Sequence, residues 1–166
     1  MPSEDSPMTQ RIDYQQQSPE LFKKLVAISM AIAQGSIEAS IGHLVEIRAS
    51  QINGCAFCVD MHIKQAMIHG ERPLRIHHLP VWRESPLFSD RERAALAWTE
   101  ALTQLPPHGV GDDIYALVRE QFSEKELTEL TYAVTTINAW NRINVAFTSV
   151  PGSADKAYGL DKAGLA

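Results

Sequence analysis

At 166 residues, 45% hydrophobic and 21% charged, the chain fits one packed domain that needs no staples to fold, which excludes collagen-like and disordered classes. Its net charge of -5, with no Lys/Arg cluster, removes the basic face that phosphate binding requires, so no nucleic-acid partner is expected. No run reaches the ~18 apolar residues of a membrane span, and Met1-Pro2-Ser3-Glu4-Asp5 lacks the basic start and apolar stretch of a secretory signal. The reading is a soluble, cytoplasmic protein with no membrane partner.

Residues 1 to 17 are polar, with Gln15-Gln16-Gln17 and no apolar period, and read as a loose arm or oligomer contact with little chemistry. Ser18-Pro19 then opens a helical domain expected to run over 18–150, and Leu21, Leu25, Ile28 and Ile32 recur at helical spacing until Gly35. A second helix carries Ile41, Leu44, Val45, Glu46, Arg48 and Ile52 and stops at Asn53-Gly54, a pair that readily takes positive φ. The next restarts at Cys55 and continues to Gly70, so the two cysteines fall in its first turn.

Pro73 to about Leu79 reads as a short helical piece, followed by a loop holding Trp82 and Pro86. Ser89-Asp90-Arg91-Glu92 and Ser123-Glu124-Lys125-Glu126 are capping boxes, the first opening a helix through Ala94 to Leu105, the second a long apolar helix toward Phe147. Asp112 begins a shorter helix between them. No segment sustains period-two alternation, so the expected class is an all-α bundle of about six to seven helices. The 151–166 tail is polar enough to fray, although Tyr158 and Leu160 could dock on a neighbour.

The only two cysteines lie three apart, which makes their chemistry local: redox-active or metal-binding before structural. At about 100° per residue, Cys55, Cys58 and His62 fall at i, i+3 and i+7, within roughly 60° of one helix face. A helix N-terminus favours thiolate, and an imidazole one turn on can exchange its proton. Glu46, on the preceding antiparallel helix, is the natural carboxylate to orient His62. The same four residues could instead hold zinc, although structural zinc sites usually draw two pairs from separate loops. His69, His77 and His78 follow no ligand spacing and are expected to be exposed. Asn138-Ala139-Trp140-Asn141-Arg142 lies on an apolar helix, where its polar groups must join a buried network or face an interface or pocket.

The run Glu46 through Ser50-Gln51-Ile52-Asn53-Gly54-Cys55-Ala56-Phe57-Cys58-Val59-Asp60-Met61-His62 resembles the AhpD-like branch of the carboxymuconolactone decarboxylase family, the alkylhydroperoxidase D group. So do Phe88-Ser89-Asp90-Arg91-Glu92-Arg93-Ala94-Ala95-Leu96 and Ile137-Asn138-Ala139-Trp140-Asn141-Arg142, so the likeness covers most of residues 20 to 150. It implies a trimer- or hexamer-forming all-α fold and peroxide reduction through a cysteine pair. In that scheme Cys58 attacks and becomes a sulfenic acid, Cys55 donates a proton and closes the disulfide, and His62 with Glu46 draws the proton from Cys58. Familiar members carry a histidine between the cysteines, where Ala56-Phe57 stand here, and their glutamate one turn upstream, where His43 stands.

These features predict a thiol-dependent peroxidase acting on a hydroperoxide, with no bound cofactor and with a dithiol or lipoyl-type reductant, since no dinucleotide fingerprint is present. Two alternatives stay open: a redox sensor or disulfide-exchange protein without peroxide turnover, and a zinc-stabilised structural protein.

Overall fold

A computed structural model describes residues 7–165; the acidic start read at Met1-Pro2-Ser3-Glu4-Asp5 lies outside the described residues. Among the described residues there are nine α-helices and no strand: α1 Tyr14–Gln17, α2 Pro19–Ala33, α3 Ala39–Ile52, α4 Ala56–Ile68, α5 Pro73–His78, α6 Asp90–Thr103, α7 Asp112–Gln121, α8 Glu124–Ala146 and α9 Asp155–Tyr158. Short 3-10 segments cover Leu79–Glu84 and Leu160–Ala163. The all-α class holds, and the helix number exceeds the expected six to seven. The two additional helices, α1 and α9, are four residues each, too short to express a period.

Local signals set the long helices. Ser89 and Ser123 both complete capping boxes: each hydroxyl accepts from the backbone N–H three residues on, at 3.2 Å, and Glu92 or Glu126 accepts from the serine N–H at 2.8 Å. The loop expected around Trp82 is instead the 3-10 segment, with Trp82 buried and its indole N–H donating to Glu100 at 2.9 Å.

Helix α3 is the hub, packing against α4, α6 and α8. Ile41 and Val45 enter one apolar cluster with Ala94, Trp98, Val118, Phe122 and Leu130 from α6 to α8. Leu44 and Ile47, on the neighbouring face, enter a second with Ala66, Ile76, Leu79, Trp82 and Leu96. That leaves His43, Glu46 and Ser50, again at i, i+3 and i+7, together on a third face.

Helix α2 has the expected apolar spacing yet no buried residue. It lies across α8, with the Phe22 and Trp140 rings 5.9 Å apart and the Trp140 indole N–H donating to Ser29 at 2.9 Å. Leu21 and Ile28 face outward, exposed. The arm before it is held along its described part: the Arg11 N–H donates to the Phe147 carbonyl at 2.9 Å, and the Tyr14 ring stacks on Phe147. The tail is held too, by Leu160 buried against α4 and by Lys64, which bonds both Asp60 and Asp155 at 2.8 Å.

Adjacent residues at the α7–α8 junction contribute by different mechanisms. In denaturant unfolding, Phe122→Ala should cost about 3–5 kcal/mol through the cavity it leaves. Ser123→Ala should cost about 1 kcal/mol through the lost cap.

Candidate redox site

Asn53 closes α3, and Gly54 adopts φ 65, turning the chain so that the Cys55 N–H donates back to the Ser50 carbonyl at 3.0 Å. A side chain at Gly54 would meet no neighbour, so the requirement there is the backbone conformation itself. Cys55 becomes the N-cap of α4, its sulfur accepting from the Cys58 N–H at 3.3 Å. Both cysteines are free and buried.

Glu46 meets His62 as the spacing predicts: its Oε2 lies 3.2 Å from His62 Nδ1. The same oxygen is 3.7 Å from His43 Nδ1, too long for a hydrogen bond. Gln65 supplies a further contact to His62 Nδ1 at 2.8 Å. Arg48, two residues further along α3, pairs instead with Glu100 at 2.9 Å. Burial acts to protonate Glu46, but the His62 charge and hydrogen bonding outweigh it and hold the carboxyl down to about 2. Burial lowers the His62 pKa in turn, and the Glu46 charge and hydrogen bond more than reverse this, raising it. The pair is ionic.

The Cys55 thiol is lowered to about 7, first by hydrogen bonding from Cys58 against the opposing effect of burial, then by the Cys58 N–H, Asn141 and the His62 charge. Cys58 is pushed up by its hydrogen bond to Cys55, by burial and by the Cys55 charge. The two sulfurs therefore share one proton, which resides on Cys58, and the first negative charge forms on Cys55. This order of acidity is opposite to that implied by an attacking Cys58 thiolate.

Three asparagines spaced three apart on α8 face this turn. Asn141, fully buried, donates to Ser50 Oγ at 2.9 Å and accepts from Asn53 at 2.9 Å, and its hydrogen bonding lowers both thiols. Asn138 accepts from Asn53 at 3.0 Å. Asn144 donates to Cys58 Sγ at 3.7 Å and accepts from the Tyr14 hydroxyl at 3.1 Å. Asn144 and Tyr14 were not singled out from sequence. The 138, 141, 144 spacing on an apolar helix could have exposed the first, while Tyr14 carries no local signal.

Cys58 opens onto a cavity of about 600 Å³ walled by Phe22, Val26, Met30, Ile137 and Trp140, with His43, Glu46 and His62 also on its wall. Cys55 is not on that wall. A second depression of about 500 Å³, beside Trp98, Tyr115 and Tyr132, holds neither cysteine nor histidine. Among the described residues no group of three or more His, Cys, Asp or Glu is placed to hold a metal ion. No helix there is long and apolar enough to cross a membrane. His77 is exposed as expected, whereas His78 is half-buried against Ser85 at 2.9 Å, and His69, though exposed, bonds His43 at 2.7 Å.

The geometry sets two pH dependences. Thiolate absorbance and iodoacetamide alkylation should show a midpoint near pH 7, moving upward in Glu46→Gln as His62 loses the charge that favours its protonation. A wild-type midpoint at the ordinary 9.0 would contradict the hydrogen-bond assignment. For stability, the depressed Glu46 stabilises above its ordinary 4.5, an effect lost as pH falls toward about 2; the raised His62 stabilises below its ordinary 6.5, an effect lost as pH rises through its folded value. Glu46→Gln should therefore destabilise most between pH 4.5 and 6.5 and least at the acid end, measured by urea unfolding.

Residues 19–101 match the carboxymuconolactone decarboxylase family. The chain is 40% identical over 139 residues to YdfG of Bacillus subtilis, covering 84% of this chain and 95% of that one. Among solved structures it is similar to ATU0492 of Agrobacterium tumefaciens, with 42% identity, a TM-score of 0.83, and coverage of 86% and 98%. The debrominase Bmp8, at 21% identity and a TM-score of 0.73 over 89% of this chain and 79% of that one, shares the fold. With its cysteine pair at the start of α4 and this fold, the chain belongs to the carboxymuconolactone decarboxylase family as an AhpD-like member.

Proposed function

We propose that the protein is a thiol-dependent peroxidase in which Cys55 and Cys58 cycle between dithiol and disulfide while His62 and Glu46 handle the protons. The observation that carries this reading is the division of labour within the pair: Cys55, the N-cap whose sulfur accepts the Cys58 N–H, is placed to favour the charge, and Cys58 faces the apolar cavity beside the ion pair. ATU0492, whose suggested role is in AhpD antioxidant defence, supports it.

The proton shared by the sulfurs passes from Cys58 to Cys55, and the Cys58 thiolate attacks the terminal oxygen of a hydroperoxide. The O–O bond breaks, the departing alkoxide takes a proton from imidazolium His62, and Cys58 becomes a sulfenic acid. Cys55, giving up its proton to the hydroxide that leaves, attacks the Cys58 sulfur; water departs and the disulfide closes. An external dithiol, of lipoyl or protein type, then reduces it. A dominantly apolar wall suits organic hydroperoxides better than hydrogen peroxide. No cofactor enters these steps, and the cytoplasm, where thiols stay reduced, suits them. The exposed Leu21, Ile28 and Met30 of α2 suit burial against further copies in a trimer or hexamer, which light scattering would read as three or six chain masses.

With excess dithiol and a small alkyl hydroperoxide, wild type should turn over continuously. Cys55→Ser and Cys58→Ser should lose turnover, and His62→Ala should lose about 100-fold. Consumption of a single equivalent by wild type would instead identify a redox sensor or disulfide-exchange protein.

A further inference from the structure

We propose that His43 and His69 extend the Glu46–His62 pair into a proton path that connects the cysteine pair to solvent at His69. This rests on the dithiol–disulfide chemistry proposed above. His62 Nδ1 and His43 Nδ1 lie 3.2 Å and 3.7 Å from one Glu46 oxygen, and His43 Nε2 is 2.7 Å from His69 Nδ1. His69 is exposed, whereas His43 Nδ1 is a buried polar atom with no hydrogen-bond partner. An orphaned imidazole nitrogen is costly where it stands, and here it points at the one carboxylate already engaged with His62. The torsion at a carboxylate end is soft, so a few tenths of an ångström carry Oε2 from one imidazole to the other. Tyr14, Tyr158 and Lys162 share the cavity wall, but among the described residues none is hydrogen-bonded to His43 or His69.

The chemistry gives such a path a use. With Cys55 ionised near neutral pH, the resting pair holds one proton, whereas reducing a hydroperoxide to alcohol and water consumes two. One proton must enter during oxidation, and one must leave when a dithiol restores the thiol–thiolate pair. At 2.7 Å the His43 and His69 nitrogens share a single proton, because two facing N–H groups would repel. With that proton on His43 Nε2, Nδ1 is a lone pair ready to accept from Glu46; the Nε2 proton then moves to His69 Nδ1, and His69 releases its own to water. This leaves both rings in the opposite tautomer, the one needed to pass a proton inward from His69 through His43 to Glu46 and His62. Oxidation and reduction therefore reset each other without either ring turning.

The test reduces the preformed disulfide with a dithiol in weak buffer, following proton release with a pH indicator beside dithiol consumption. In wild type the two should coincide. In His69→Ala proton release should lag about 10-fold, less than the 10²- to 10⁴-fold of a group acting on the reacting atom. Millimolar 4-methylimidazole should restore it. His43→Gln should lag equally without rescue, and the double variant should be no worse than His43→Gln alone. Coincident release in both single variants, or a lag in His69→Ala that 4-methylimidazole leaves unchanged, would overturn the path. Because no peroxide is used, a wild type inactive on hydroperoxides would count against the peroxidase reading and leave this result standing. Rescue cannot arise from a structural role, since a repacked surface does not accept a free base as substitute.

Discussion

A single proton held between two buried sulfurs is the constraint around which the rest of the site is arranged. Two thiolates three residues apart would repel, and two thiols would be poor nucleophiles, so the useful state is the singly ionised pair. Cys55 takes the charge first because the Cys58 thiol hydrogen-bonds to it against the opposing effect of burial, and then because the Cys58 N–H at this N-cap and Asn141 lower its pKa further. Cys58 keeps the proton and the view of the cavity. Acidity and access are thus separated between the sulfurs. A low-pKa Cys55 is compatible with attack by Cys58, because the proton on Cys58 has a base already bonded to it.

Holding that charge inside the protein requires compensation at longer range. His62, only 12% exposed at its side chain, keeps its proton because Glu46 is beside it, and Glu46 keeps its charge because the His62 charge and hydrogen bonding outweigh its burial. Asparagines suit the opposite wall for a related reason: amides donate to a sulfur anion without carrying a charge that would compete with His62. Tyr14 fixes the orientation of Asn144 from outside. The N-terminal arm is then part of the site, tied to the end of α8 by the Arg11 backbone bond and the Tyr14–Phe147 stack.

What could be read from sequence follows the range of each interaction. Cys55, Cys58 and His62 lie on one helix, and i, i+3, i+7 spacing is a local property. Glu46 was legible because one short turn joins its helix to theirs. Capping boxes at Ser89 and Ser123 were legible for the same reason. Tyr14 was not, because its partner Asn144 is 130 residues away and a lone tyrosine in a polar arm has no periodicity. Helix α2 marks the other limit: periodicity predicted the helix correctly, but an apolar stripe states only that something covers it, and within this chain its inner side borders a cavity rather than the core. In the tail Leu160 was legible as a docking residue and is buried, whereas the anchor through Asp155 was not, because Lys64 is an ordinary helix lysine until the fold brings them together.

Family membership fixes the fold more firmly than the reaction, since one architecture supports many chemistries. The residues on α3 make that distinction concrete. In familiar AhpD-like members the carboxylate sits one turn earlier, at the position of His43, yet positions 43 and 46 lie about 60° apart on a helix and look onto the same neighbour. A carboxylate at either position lies on the face of α3 from which Glu46 meets His62. What changes is the residue left at position 43. A carboxylate there would terminate the chain of polar groups at His62, whereas an imidazole has a second nitrogen, and in this protein that nitrogen is bonded to His69 at the surface. The exchange of one turn thus preserves the ion pair beside the cysteines and gives it an outlet.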